Sequence, residues 1–251
     1  MEEMNRRRLI LLDERAQGAI VIIGASSGLG HGISCGFPEV GDVVWCASRN
    51  RPPSLDRADG VHRRWIEADL SVPDQVRKVE ATIGPDPVRL LIFCAVVWES
   101  ETNIENVEAE ELYRILSVNT SSFIAVTKSL AKNLRAACGS ATVIAIGSTF
   151  GLDNGPGDRA AYAASKFGLR GAVNAFRSAF RPDHISVTCI SPGSLASEVE
   201  FEDGRKAALE RFGGDRIPTA DIIAIIRCLE SLTPATCVKE IVIPAMNDLD
   251  V

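Results

Sequence analysis

Apolar, largely β-branched runs recur along the chain at Ala19 to Ile23, Val43 to Ala47, Trp65 to Ala68, Leu90 to Ala95, Thr142 to Ile146, Ile185 to Ile190 and Glu240 to Ile243. Runs of this length read as strands. Most are apolar at successive positions, so both faces of each strand are expected to be covered, and the segments between them carry helical periodicity. This alternation predicts an α/β fold: a Rossmann-type, doubly wound parallel sheet of about seven strands with helices on both faces.

Two of the intervening segments predict long helices. From about Ala109 to Ala136, residues Leu112, Ile115, Leu116, Phe123, Val126, Leu130 and Leu134 follow the three-and-four step of a buried face, and Asn119 shares that face. From about Asp158 to Phe180 the first half is rich in small residues, which permits close approach of another backbone. Ser194 to Pro218 is polar, holds Gly204, Gly213 and Gly214, and reads as a lid or loop insertion. No repeat or low-complexity linker interrupts the pattern, so one domain is expected over residues 1–251, with residues 1–17 as an N-terminal extension.

Composition narrows the function classes. The chain has 46% hydrophobic and 24% charged residues, the balance of a globular protein with a substantial core. A formal net charge of −6 offers no general positive field for a nucleic-acid backbone, so no nucleic-acid partner is expected. The seven cysteines are scattered without a CxxC pair, and the three histidines are isolated from one another and from any cysteine pair. Buried free thiols are expected, with neither disulfides nor a metal site. The run Leu9 to Leu12 after three arginines is too short for a signal core or a membrane span. A cytoplasmic protein that does not enter membranes is therefore expected.

The candidate chemistry begins after the first strand, where Gly24-Ala25-Ser26-Ser27-Gly28-Leu29-Gly30 leads into a helical segment. Glycines let the backbone approach a pyrophosphate, and the amides at a helix N-terminus stabilise its charge. The spacing is GxxxGxG instead of the GxGxxG of the ordinary dinucleotide fingerprint. Alone, three such glycines also serve plain strand-helix packing. Further on, Tyr162 and Lys166 stand four residues apart (166 − 162), on one face of a helix. An adjacent ammonium stabilises phenolate, and lowering a tyrosine from its usual pKa of about 10 suits it to proton transfer near neutrality.

In order and approximate spacing, GxxxGxG after the first strand, Asn119 on a central helix, Ser148 at the end of the fifth strand, and Tyr162 with Lys166 resemble the short-chain dehydrogenase/reductase family. The resemblance runs from about Ala19 to Ile243. It implies that Tyr162 exchanges a proton with a carbonyl or alcohol oxygen and that Ser148 hydrogen-bonds the same oxygen. Lys166 would depress the tyrosine pKa and bind the nicotinamide ribose, and Asn119 would help hold a water-linked proton relay. By the same resemblance Asp69, followed by Leu70, contacts adenine, Pro192 and Gly193 border the nicotinamide, and Ser197 takes the place of a threonine beside the carboxamide. The dinucleotide contacts implied are thus Gly24, Ser26, Ser27, Gly28, Leu29, Gly30, Ser48, Arg49, Asp69, Leu70, Ala95, Tyr162, Lys166, Pro192, Gly193 and Ser197.

Three departures stand out. Phe93-Cys94-Ala95-Val96 replaces the family's Asn-Asn-Ala-Gly. The interval from Ser148 to Tyr162 is 14 (162 − 148), about one longer than is common in the family, which an insertion within Asp153 to Asp158 would absorb. After the last strand, Ile243-Pro244-Ala245-Met246 lacks the usual glycine pair.

An acidic residue at the end of the second strand would favour NAD(H). Here the stretch is Cys46-Ala47-Ser48-Arg49-Asn50, with no carboxylate before Asp56, so Ser48 and Arg49 favour the 2′-phosphate of NADP(H). The expected activity is carbonyl–alcohol interconversion on a small-molecule substrate. Two other readings stand beside it: a dinucleotide-binding sensor without turnover, suggested by Phe93 to Val96, and a sugar-nucleotide epimerase or dehydratase, which would need a larger C-terminal region. Trp98, Phe150 and Phe201 lie in segments expected to shape the substrate pocket, as lining or as packing residues. The two long helices are expected to pair copies into a homodimer or homotetramer.

Overall fold

The computed structural model describes residues 17–101, 103–137, 141–153 and 159–249. Most of the expected N-terminal extension and most of the insertion expected within Asp153 to Asp158 lie outside the described residues.

Seven parallel strands form one sheet: β1 (Ala19–Ile23), β2 (Val43–Ser48), β3 (His62–Glu67), β4 (Val88–Phe93), β5 (Thr142–Ile146), β6 (Ser186–Pro192) and β7 (Glu240–Ile243). Their order is β3-β2-β1-β4-β5-β6-β7, so the winding reverses between β1 and β4. The chain leaves β1 for one face of the sheet and β4 for the other, and such a switch point is where a ligand crevice forms at the carboxyl end of an open α/β sheet.

Side chains alternate across each strand and build a core on either side. On one face, Val21 and Ile23 of β1 join Leu91 and Phe93 of β4 beneath α2 (Pro73–Ile83) and the helices of the 109–136 and 160–180 regions. On the other, Ile20 and Ile22 join Leu90 and Ile92 beneath α1 (Gly28–Gly36) and the late helix Thr219–Glu230. Every residue of β1 and β4 is buried, as strands apolar on both faces require.

The helix expected over Ala109 to Ala136 is divided. It runs as α3 (Ala109–Leu116), a π-helical turn (Ser117–Ser121), α4 (Ser122–Ser129) and α5 (Ala131–Ala136). The Ser122 amide donates to Ser117, five residues back, the mark of a π-turn. Ile115, Phe123, Val126, Leu130 and Leu134 face the core as their spacing implied, whereas Leu116, the last residue before the π-turn, is exposed. The next helix, α6 (Ala160–Phe180), starts just after the expected Asp158, a residue outside those described.

Ser194 to Pro218 is more ordered than a loop. It contains α7 (Gly204–Phe212) and is closed at its base by a bridge between Leu195 and Ile217, ahead of α8 (Thr219–Glu230). Among the described residues, no helix is long and apolar enough to cross a membrane.

Candidate active site

A cleft of about 680 Å³ crosses the carboxyl ends of β1 to β6. It is walled by the glycine turn after β1, Ser48 and Arg49 after β2, Asp69 and Leu70 after β3, Ala95 after β4, Ser148 after β5, Tyr162 and Lys166 from α6, and Pro192, Gly193 and Ser197 after β6. Residues separated by well over a hundred positions in the chain therefore face one space. Asn119 is the exception: fully buried, it stands behind the cleft wall.

The glycine turn is shaped by close backbone packing. Gly24 has φ +89°, and a Cβ there would come within 2.6 Å of the Ala95 amide nitrogen, so the loops after β1 and β4 touch backbone to backbone. A Cβ on Gly30 would overlap the Gly24 carbonyl oxygen. Gly28 opens α1 with φ +52°, and Ser27, Gly28, Leu29 and Gly30 bring that helix N-terminus to the cleft. The first turn has no acidic residue and no side-chain cap, which leaves the positive end of the helix available to an anion. A dinucleotide pyrophosphate fits this cradle.

Asp69 lies towards the other end. Burial pushes its carboxyl up, but hydrogen bonds from the Ser71 hydroxyl (2.7 Å) and amide (2.9 Å), aided by the charges of Arg49 and Arg114, outweigh that and hold it below the ordinary aspartate value. The Ser48 hydroxyl donates to Asn50 O at 2.7 Å, so its proton is engaged in the turn, leaving Arg49 as the cation presented by β2. Arg114, on α3, also lines the cleft and brings a second positive charge to this end. The sequence gives no signal for it, because its neighbours in the cleft come together only on folding.

At the other end, Lys166 is 2% exposed, and its ammonium donates to Ile146 O at 2.9 Å while standing 5.4 Å from the centre of the Tyr162 ring. The Ser148 hydroxyl accepts from the Phe150 amide at 3.2 Å, which leaves its own proton for another acceptor. Phe150 packs edge-on against Tyr162, centroids 5.4 Å apart. Trp98 lines the cleft and is 58% exposed. Phe201 instead packs against Gly36, the last residue of α1.

Asn119 sits in the π-turn with every side-chain polar atom engaged. Its carbonyl oxygen accepts from Val97 N (2.9 Å), and its amide donates to Val97 O (2.7 Å) and to Ser165 Oγ (2.9 Å). It thereby ties the loop after β4 to α6. Cys94, where the family has asparagine, carries a thiol that burial pushes up to about 12 against the opposing pull of Lys166. A neutral thiol at this position supplies neither a charge nor a strong hydrogen-bond donor.

Comparison with known proteins agrees with this architecture. The family model described as short chain dehydrogenase matches residues 18–207, and the chain belongs to that family. An oxidoreductase of Mycobacterium tuberculosis is 27% identical over 200 residues, spanning 72% of this chain and 74% of that one. Among solved structures, L-sorbose reductase from Gluconobacter frateurii, complexed with NADPH and L-sorbose, superposes with a TM-score of 0.76 at 20% identity, covering 94% of this chain and 98% of that one. A 3-oxoacyl-[acyl-carrier protein] reductase from Brucella melitensis, in complex with NAD, superposes at 0.75 with 19% identity, covering 90% and 95%. At these identities the two structures establish the shared fold.

Proposed function

We propose that the protein is an NADP(H)-dependent reductase that interconverts a carbonyl and an alcohol on a small-molecule substrate. The observation that carries this reading is the meeting of Tyr162, Lys166 and Ser148 in the same cleft as the glycine turn that opens α1. The nicotinamide, when bound, supplies hydride transfer. Tyr162 then moves the proton to or from the substrate oxygen, and Ser148, which accepts from Phe150 N, keeps its own proton to donate to that same oxygen. Lys166, held by Ile146 O, places a positive charge 5.4 Å from the centre of the phenol ring. Asn119 acts from behind the wall by fixing Val97, a cleft residue.

NADP(H) is favoured over NAD(H) because Arg49 and Arg114 line the cleft and both bring positive charge to Asp69, the residue that the resemblance sets beside the adenine. The likeness to the NADPH-bound sorbose reductase is consistent with this, while the NAD-bound neighbour has the same fold, so the choice rests on these two arginines. The segment Ser194 to Pro218 borders the cleft through Ser194, Leu195, Ser197, Glu198 and Arg216, and serves as the substrate-side cover. Tyr113, Leu116, Ile124 and Phe167 leave apolar surface on α3, α4 and α6, consistent with a homodimer or homotetramer built on these helices.

The test is a panel of ketones, aldehydes and diketones assayed by loss of NADPH absorbance, run beside Tyr162→Phe and a binding titration. Turnover lost in the variant with binding retained supports the reductase. Tight binding without turnover across the panel would favour a dinucleotide sensor, and absence of binding would defeat both readings.

A further inference from the structure

The loop after β4 makes a second contact with α6 that the proposed chemistry leaves unused. The helix that carries Tyr162 begins poorly: its capping position is Arg159, which supplies no side-chain cap, and its first turn contains no acidic residue. Such a start leaves amide protons without partners. They are met from 62 residues upstream. Glu99, 2% exposed, accepts through Oε1 from Ala161 N at 2.7 Å and from Tyr162 N at 3.1 Å. These are the second and third residues of the helix, the two that a local capping side chain would serve. Arg159 reciprocates, its guanidinium donating to Glu99 O at 2.7 Å. The other carboxylate oxygen, Oε2, is buried and has no hydrogen-bond partner among the described residues.

We propose that Glu99 is a positioning residue for the reaction: its buried carboxylate caps the helix of Tyr162 and so sets the place of the phenol against Ser148 and Lys166. This rests on the reductase reading given above. A buried carboxylate with one oxygen unpaired among the described residues is costly, and the two helix amides held by its other oxygen offset that cost. The effect reaches the cleft because Glu99 directly follows Val97 and Trp98, two lining residues, and because Asn119 fixes Val97 to the same helix. Glu99 and Asn119 thus hold one loop to α6 at two points, one at Tyr162 itself and one at Ser165.

The experiment compares the wild type with Glu99→Gln, Glu99→Ala and the double variant Glu99→Ala/Arg159→Asp. Glutamine keeps the acceptor oxygen, and aspartate at the capping position supplies a local one. The readouts are NADPH affinity, kcat on the best substrate of the carbonyl panel, and hydrogen exchange of a peptide covering residues 160–166. Glu99→Ala is expected to lower kcat by about tenfold or more and to speed exchange at the helix start, with NADPH affinity within about threefold, since a lost cap loosens the helix end and leaves the glycine turn intact. Glu99→Gln should stay close to wild type, and the double variant should recover both kcat and protection.

Unchanged kcat in Glu99→Ala would overturn the proposal. So would a glutamine variant as impaired as alanine, or a loss of NADPH affinity that parallels the loss of turnover. Should the wild type bind no nicotinamide dinucleotide, the reductase reading falls, and the positioning role falls with it. Binding and turnover in the wild type with no change of exchange in Glu99→Ala would reject the positioning role alone.

Discussion

Asn119→Ala tests whether the loop after β4 is held from within the protein. The substitution removes three hydrogen bonds at a fully buried site: two to the backbone of Val97 and one to Ser165 Oγ. Ser165 keeps one partner, since its hydroxyl donates to Tyr162 O at 2.6 Å, and half-buried Val97 can recruit some water. At about 1 kcal/mol for each neutral hydrogen bond, the loss is about 3 kcal/mol. For a chain of this size that corresponds to a fall in Tm of about 6–12 °C. Reversible urea unfolding followed by circular dichroism measures it, with the slope checked to be unchanged. Asn119→Asp supplies the control: it keeps the acceptor for Val97 N but sets an oxygen against Val97 O, and should cost at least as much as alanine. A loss under about 1 kcal/mol for alanine, or wild-type stability for aspartate at neutral pH, would refute the accounting.

Other expectations follow from the same geometry. Arg49→Gln and Arg114→Gln should each weaken NADPH by about tenfold while leaving NADH nearly unchanged, the effect of one charged hydrogen bond, as read by calorimetric titration. Phe123→Ala empties a fully buried site between Phe93 and Phe176, with ring centroids at 5.4 and 5.8 Å, and should cost about 3–5 kcal/mol in denaturant titration. Glu240 joins β7 to Arg170 of α6 by two hydrogen bonds (2.7 and 2.9 Å), and this pairing outweighs burial to hold its carboxyl below the ordinary glutamate value. Its contribution is therefore present above the unfolded-state pKa and lost as pH falls through the lower folded-state value. Glu240→Gln should accordingly cost about 1 kcal/mol at neutral pH and progressively less in acid, as measured by urea unfolding across that range.

Local patterns made much of the fold legible. β1, β5 and β7 fall where the apolar runs placed them because a glycine or proline, Gly24, Gly147 or Pro244, closes each run. β3 begins three residues before its expected start because it is an edge strand whose first half, His62 to Arg64, is polar and satisfied partly by the ion pair of Arg63 with Asp59. The break at Asn119 escaped because a π-turn changes the helix phase without a glycine or proline to announce it. In the site, the glycine turn and the Tyr162–Lys166 pair were readable because each depends on neighbours in sequence. Glu99 and Arg114 were not, since one acts on a helix 62 positions away and the other gains its surroundings only when α3 packs beside the loop after β3.

The π-turn also bears on how the chain can change in length. Each helical residue advances the chain by about 100°, so closing a turn five residues back inserts that much rotation between the two flanks. Ahead of it Ile115 points inward, and behind it Phe123 and Val126 meet the sheet. Removing one residue from Ser117–Ser121 would make the helix more regular, yet it would swing one flank around the axis. Either Asn119 would leave Val97 or Phe123 would leave its aromatic neighbours. A deletion at this turn is therefore far more damaging than most substitutions there, and the residue count between Ile115 and Phe123 is itself a constraint on the cleft.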